Sequence, residues 1–145
     1  MDIHNPPRSF GVFSPVDHIL IALPTAAQME AAVQALQAQG FAESALLRYR
    51  PADMLAQLAA DLKQASPLAV LGQELNLQKA HGLLAEQGCS FLLVHAPEDE
   101  QAAQVTAVAR SVGAVAAQRY GSFMIEELIT PPPGGPLIFE SADKT

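Results

Sequence analysis

HILIALPTAAQMEAAVQALQAQGFAESALLRY, residues 18–49, is the stretch whose reading decides the fold. The near-continuous apolar run from Ile19 to Leu23 marks a strand that is covered on both faces or lies at a sheet centre. Pro24 ends the run. Thr25, with Gln28 three residues on, then supplies the start signature of a helix. Met29, Val33 and Leu36 fall on one helical face, and Gly40 stops the helix. A second apolar run comes next and closes on Arg48-Tyr49.

The same order returns in SFLLVHAPEDEQAAQVTAVARSVGAVAAQRY, residues 90–120. Phe91 to Val94 is the apolar run, and Pro97 ends it. Glu98, Asp99 and Glu100 suit the positive end of a helix dipole. Val105, Val108 and Val112 form the stripe, Gly113 ends the helix, and the next run closes on Arg119-Tyr120. Pro24 to Gly40 and Pro97 to Gly113 have the same spacing, while the stretch from Gly to Arg-Tyr is two residues shorter in the second unit. This is an imperfect internal repeat of strand–helix–strand units.

Between the units the spacing predicts helices. Met54, Leu55, Leu58 and Leu62 give one stripe, Ser66-Pro67 marks a new start, and Gly72 breaks or bends the chain beyond it. Leu77, Ala80 and Leu84 line a third helix that ends at Gly88. A last strand covers 122–129 if AVAAQRY pairs separately before it; otherwise 114–129 is one long strand bulged at Gly121. Residues 1–15 are expected as a loosely held arm, 16–129 as a single α+β domain (16–50, a helical insert 51–88, and 89–129), and 130–145 as a Pro/Gly-rich tail. PLIF at 136–139 is apolar enough to dock on this domain or a neighbour. Two βαβ-like units sharing one sheet, with helices packed on a face, predict a ferredoxin-like sandwich.

Composition narrows the function classes. Of 145 residues, half are hydrophobic and 16% charged, which is a globular rather than a disordered balance. A net charge of −7 with no Trp leaves neither a polyanion-binding surface nor a base-stacking one, so nucleic acid is not an expected partner. No apolar run reaches about 18 residues, so no membrane span is expected. The single cysteine, Cys89, cannot form an internal disulfide and reads as a buried structural thiol in a cytoplasmic protein.

The apolar and glycine pattern of VDHILIALP, AAVQALQAQGF and LLAEQGCSFLLVHAPEDEQAAQVTAVARSVGA resembles bacterial general-stress, heat-induced stress protein-like domains, over about residues 16–120. The resemblance implies the fold and a loose association with stress, and it carries no catalytic residue. VDHILIALP is also similar to the first strand of glyoxalase-like, vicinal oxygen chelate metalloenzymes, and SFMIEEL to a strand that gives them a Glu ligand. That second resemblance implies His18 and Glu126 as metal ligands.

Chemical motifs are otherwise sparse. The four histidines, His4, His18, His81 and His95, show no metal-ligand spacing, so no metal and no cofactor are expected. His18 and His95 could approach if their strands are neighbours. His81, followed by Gly82, is expected to face solvent. Arg48-Tyr49 and Arg119-Tyr120 recur at the unit ends and are candidates to hold a small anion; the plainer reading pairs each Arg with a nearby Glu. Glu126 and Glu127, adjacent in a strand, point to opposite faces and cannot act as a carboxylate pair. There is no phosphate loop and no nucleophile elbow. The expected function is non-enzymatic, through a homodimer or a protein partner, with residues 51–87 as the candidate dimer face. The alternative is a small-molecule or metal-binding enzyme that uses His18 with Glu126 or His95.

Overall fold

A computed structural model describes residues 8–9, 12–13, 15–64, 73–122 and 124–130. The PLIF segment and all of 131–145, together with Ser66-Pro67 and Gly72, lie outside the described residues. The order is β1 (Arg8–Ser9), β2 (Val12–Phe13), β3 (His18–Leu23), α1 (Ala26–Ala38), β4 (Leu46–Tyr49), α2 (Pro51–Gln64), α3 (Gln73–Glu86), β5 (Ser90–His95), α4 (Asp99–Ser111), β6 (Ala116–Tyr120) and β7 (Ile125–Ile129). A short 3-10 turn, Glu43–Ala45, leads into β4. Within the expected N-terminal arm, β1 and β2 pair as a two-stranded ribbon, and β2 lies beside α2.

The main sheet has the order β4-β5-β3-β6-β7, every neighbouring pair antiparallel. HILIAL is its middle strand, as its unbroken apolar run predicts. Alternation along β3 divides the core in two. Ile19, Ile21 and Leu23 pack with Ala32, Val33 and Leu36 of α1 and with Val105, Val108 and Ala109 of α4. Leu20 and Ala22 point the other way, into Tyr49, Met54, Leu58, Leu84, Phe91 and Leu93. Helices therefore cover both faces of the sheet, α1 with α4 on one side and α2 with α3 on the other. The expectation of helices packed on a single face is corrected by this second layer. Met54, Leu58, Leu84 and Ala85, part of the surface expected for dimerisation, are buried inside the chain, while Leu55 remains 37% exposed.

Helix ends obey local chemistry. The Thr25 hydroxyl oxygen accepts from the Gln28 amide N–H at 3.1 Å. Gln28 Nε2 reaches across to donate to the Val112 carbonyl at 2.9 Å, tying the start of α1 to the end of α4. Gly40, Gly88 and Gly113 come after α1, α3 and α4 with φ of 101°, 99° and 83°, the left-handed stop that lacks a Cβ penalty. Gly113 carries a further demand, since a Cβ there would lie 2.9 Å from Gln28 Nε2 and push that amide off the Val112 carbonyl, whereas one at Gly40 would meet nothing within 4 Å. Gly113→Ala is therefore expected to cost about 2 kcal/mol and Gly40→Ala about 1 kcal/mol, and paired denaturation midpoints check the difference.

At the carboxyl end AVAAQRY and the last strand are separate elements. They form a hairpin in which Gly121 N–H donates to the Met124 carbonyl at 2.9 Å. The register slips between Ala117 and Gln118, so the irregularity falls within the pairing and not at Gly121. Among the described residues β7 is an edge strand; it is short, irregular and carries Glu126 and Glu127, features that blunt edge-to-edge pairing.

Candidate functional site

The candidate groups gather where β3 begins, β5 ends and β6 turns into β7. His18 pairs directly with His95 on one side and with Tyr120 on the other. The side-chain period of two puts all three on the α2–α3 face. The imidazole centroids of His18 and His95 are 4.8 Å apart, tilted by 51°. The expected approach of these two histidines is thus realised by adjacent central strands. His18 is half-buried and its Nδ1 lies 2.8 Å from the Val16 carbonyl, so Nδ1–H donates and Nε2 keeps its lone pair. Burial holds the His18 imidazolium below its ordinary pKa, and the neighbouring His95 adds to this against the opposing Val16 hydrogen bond.

Asp17, just before His18, has φ of 68°, a left-handed conformation that Asp tolerates better than most residues. Its backbone is clamped from both sides. Asp17 N–H donates to Tyr120 O at 2.9 Å, and Ala96 N–H donates to Asp17 O at 3.0 Å. The strand end is therefore held by three strands at once. Beside it opens a hollow of about 480 Å³ lined by Asp17, Arg119, Tyr120, Gly121, Met124 and Glu126. Met124 is 70% exposed at this hollow, the most exposed large apolar side chain among the described residues.

The glyoxalase-like ligand set does not assemble. Glu126 pairs with Arg119, and Arg119 with Ile19, so register sets the Glu126 side chain on the face opposite His18. Among the described residues no group of three or more His, Cys, Asp or Glu could hold a metal ion. The two Arg-Tyr pairs do not converge either. Two strands lie between β4 and β6, which places Arg48 and Arg119 more than about 14 Å apart by sheet spacing. Each dipeptide also splits across the sheet, with Tyr49 and Tyr120 buried on the α2–α3 side and the guanidinium groups on the other.

Each arginine meets an acid. Arg48 makes a two-pronged ion pair with Glu43, which holds that exposed carboxyl below its usual pKa and raises the guanidinium. Arg119 Nη2 donates to Asp99 Oδ1 at 2.9 Å, and Glu126 is its cross-strand neighbour. Asp99, Glu126 and Asp17 around one arginine make this corner a poor host for an anion.

His81 departs from expectation. It is only 3% exposed on α3, its Nε2 lies 2.9 Å from Gln118 Oε1, and its ring meets Phe91 edge-on at 5.7 Å. Gln118 Nε2 in turn donates to Glu127 Oε1 at 3.1 Å. Burial pushes the His81 pKa down despite the hydrogen bond that its ring donates to Gln118 Oε1. The signal is present in the sequence, since His81 lies four residues after Leu77 and three before Leu84, on the apolar stripe itself. The thiol of Cys89 is buried and its pKa is pushed up to about 11, so it is a core group and a poor nucleophile. Among the described residues no helix is long and apolar enough to cross a membrane. No protein-family model matches the chain, and neither a curated protein nor a solved structure does.

Proposed function

We propose that this chain is a non-enzymatic interaction protein that works as a homodimer, with the hollow at the β6–β7 turn as its working surface. The observation that carries the reading is Met124, 70% exposed at the mouth of that hollow. A flexible apolar side chain beside a cavity is self-complementary: in a two-fold pair, each Met124 enters the partner's hollow, an isologous contact that closes on itself. The blunted β7 edge favours such a side-chain contact over extension of the sheet.

We further read the frame as a ferredoxin-like sandwich of two βαβ-like repeats, β3–α1–β4 and β5–α4–β6. The order β4-β5-β3-β6 supports this reading, with α2, α3 and β7 as additions. The buried free thiol of Cys89 agrees with a cytoplasmic setting, and a stress-related role rests on the resemblance over about residues 16–120.

Light scattering on the full chain after size exclusion tests the dimer. The expected mass is twice that of one chain, falling to one in Met124→Glu with an unchanged circular dichroism spectrum. A wild-type monomer at every concentration, or a dimer that survives Met124→Glu, rejects the reading.

A further inference from the structure

Independently of dimerisation, we infer that His18 and His95 form an open site for a divalent transition ion of the imidazole-preferring class, Cu(II), Ni(II) or Zn(II). The pair is held by two central strands in direct register, so its geometry is fixed by the best-packed part of the fold. A metal bonds imidazole nitrogens at about 2.0–2.1 Å, which asks for one nitrogen of each ring about 3 Å apart. Ring centroids 4.8 Å apart put the two imidazoles within reach of one shared ion.

The tautomer also fits. His18 donates Nδ1–H to the Val16 carbonyl, the second contact that metal-bound imidazoles commonly make, and this leaves Nε2 as a ligand. His95 is exposed, so an ion can enter from solvent. Local charge favours a cation, with Asp17 adjacent in the chain and a net charge of −7 overall. With no third ligand among the described residues, the remaining coordination positions fall to water or to a small exogenous donor. Imidazole pairs select late first-row ions over Mg(II) and Ca(II), which take oxygen.

The test is calorimetric titration of Ni(II) into the full chain in a non-coordinating buffer, with imidazole nitrogen signals followed by NMR. One ion per chain is expected, broadening the His18 and His95 signals while leaving those of buried His81 in place. His18→Ala and His95→Ala should each weaken binding roughly tenfold or more, and Mg(II) should not compete. Because His95 is exposed, His95→Ala keeps the fold and answers the question even if His18→Ala does not. Absence of binding, binding undiminished in His95→Ala, or loss of binding in His4→Ala with both strand histidines intact overturns the site.

Discussion

Exchange of Phe91 for alanine is expected to destabilise the chain by about 3–5 kcal/mol, seen as a lower denaturant midpoint at unchanged slope. Phe91 is fully buried in β5 and faces α2 and α3, with Tyr49 opposite it on β4 and Ala22 opposite it on β3. Removing the ring leaves a cavity against Met54, Leu84 and Leu93 that these side chains cannot close without moving a helix. It also takes away the wall on which the His81 ring rests. The size of the loss separates two views of the helical insert. If α2 and α3 were an appendage on a one-faced sheet, Phe91 would line a surface and its loss would cost less than about 1 kcal/mol. Leu55→Ala, on the exposed side of α2, is the matched control and should stay within that smaller range.

The second large effect is a loss of stability in mild acid that passes through His81. In the folded chain its pKa lies below the ordinary 6.5 because the ring is buried, whereas in the unfolded chain it regains that ordinary value. The unfolded state therefore binds more protons at acid pH. The contribution of the neutral ring is complete above about pH 6.5 and is lost as pH falls toward the folded value, at no more than about 1.4 kcal/mol per pH unit. Unfolding free energies between about pH 7.5 and 5 measure this slope directly. His81→Gln keeps an amide able to bond Gln118 but cannot titrate, so its slope in that window should be flatter. His18 is shifted in the same direction, and the comparison is cleanest in a His18→Gln background. An unchanged slope in His81→Gln would place the acid sensitivity elsewhere.

Much of this architecture is written in local pattern. HILIAL has no polar residue in its interior, and only a strand covered on both sides tolerates that, which puts it at the sheet centre. Thr25 and Gln28, and the three glycines after the helices, set element ends through hydrogen bonds and backbone conformations that each residue type dictates by itself. The second layer is less legible. The α2 stripe shows that one face is apolar, but periodicity cannot say whether that face meets its own sheet or another molecule. The same limit hides His81, where the glycine beside it suggests a helix surface while the stripe it sits on turns inward.

The site is legible in its parts and not in its assembly. His18 and His95 stand out as polar residues at the ends of apolar strands, but their meeting depends on antiparallel register along the whole of β3 and β5, a long-range property. Arg48-Tyr49 and Arg119-Tyr120 look alike in sequence, yet sheet order puts two strands between them. Gln28 spans the gap from α1 to the end of α4, and no local signal links it with Val112. Asp17 takes a left-handed backbone because three strands converge on its amide and carbonyl, a demand that only the completed sheet imposes.

Whether two copies join through Met124 and the hollow beside Tyr120 is decided by an isotope-filtered NMR experiment on a mixture of chains. One set carries a labelled Met124 methyl and the other is unlabelled. Intermolecular contacts are expected from that methyl to the Gly121 Hα and the Arg119 side chain of the unlabelled chain. A methyl that shows contacts only within its own chain, in a sample that sediments as a dimer, would contradict the Met124 interface and move it elsewhere.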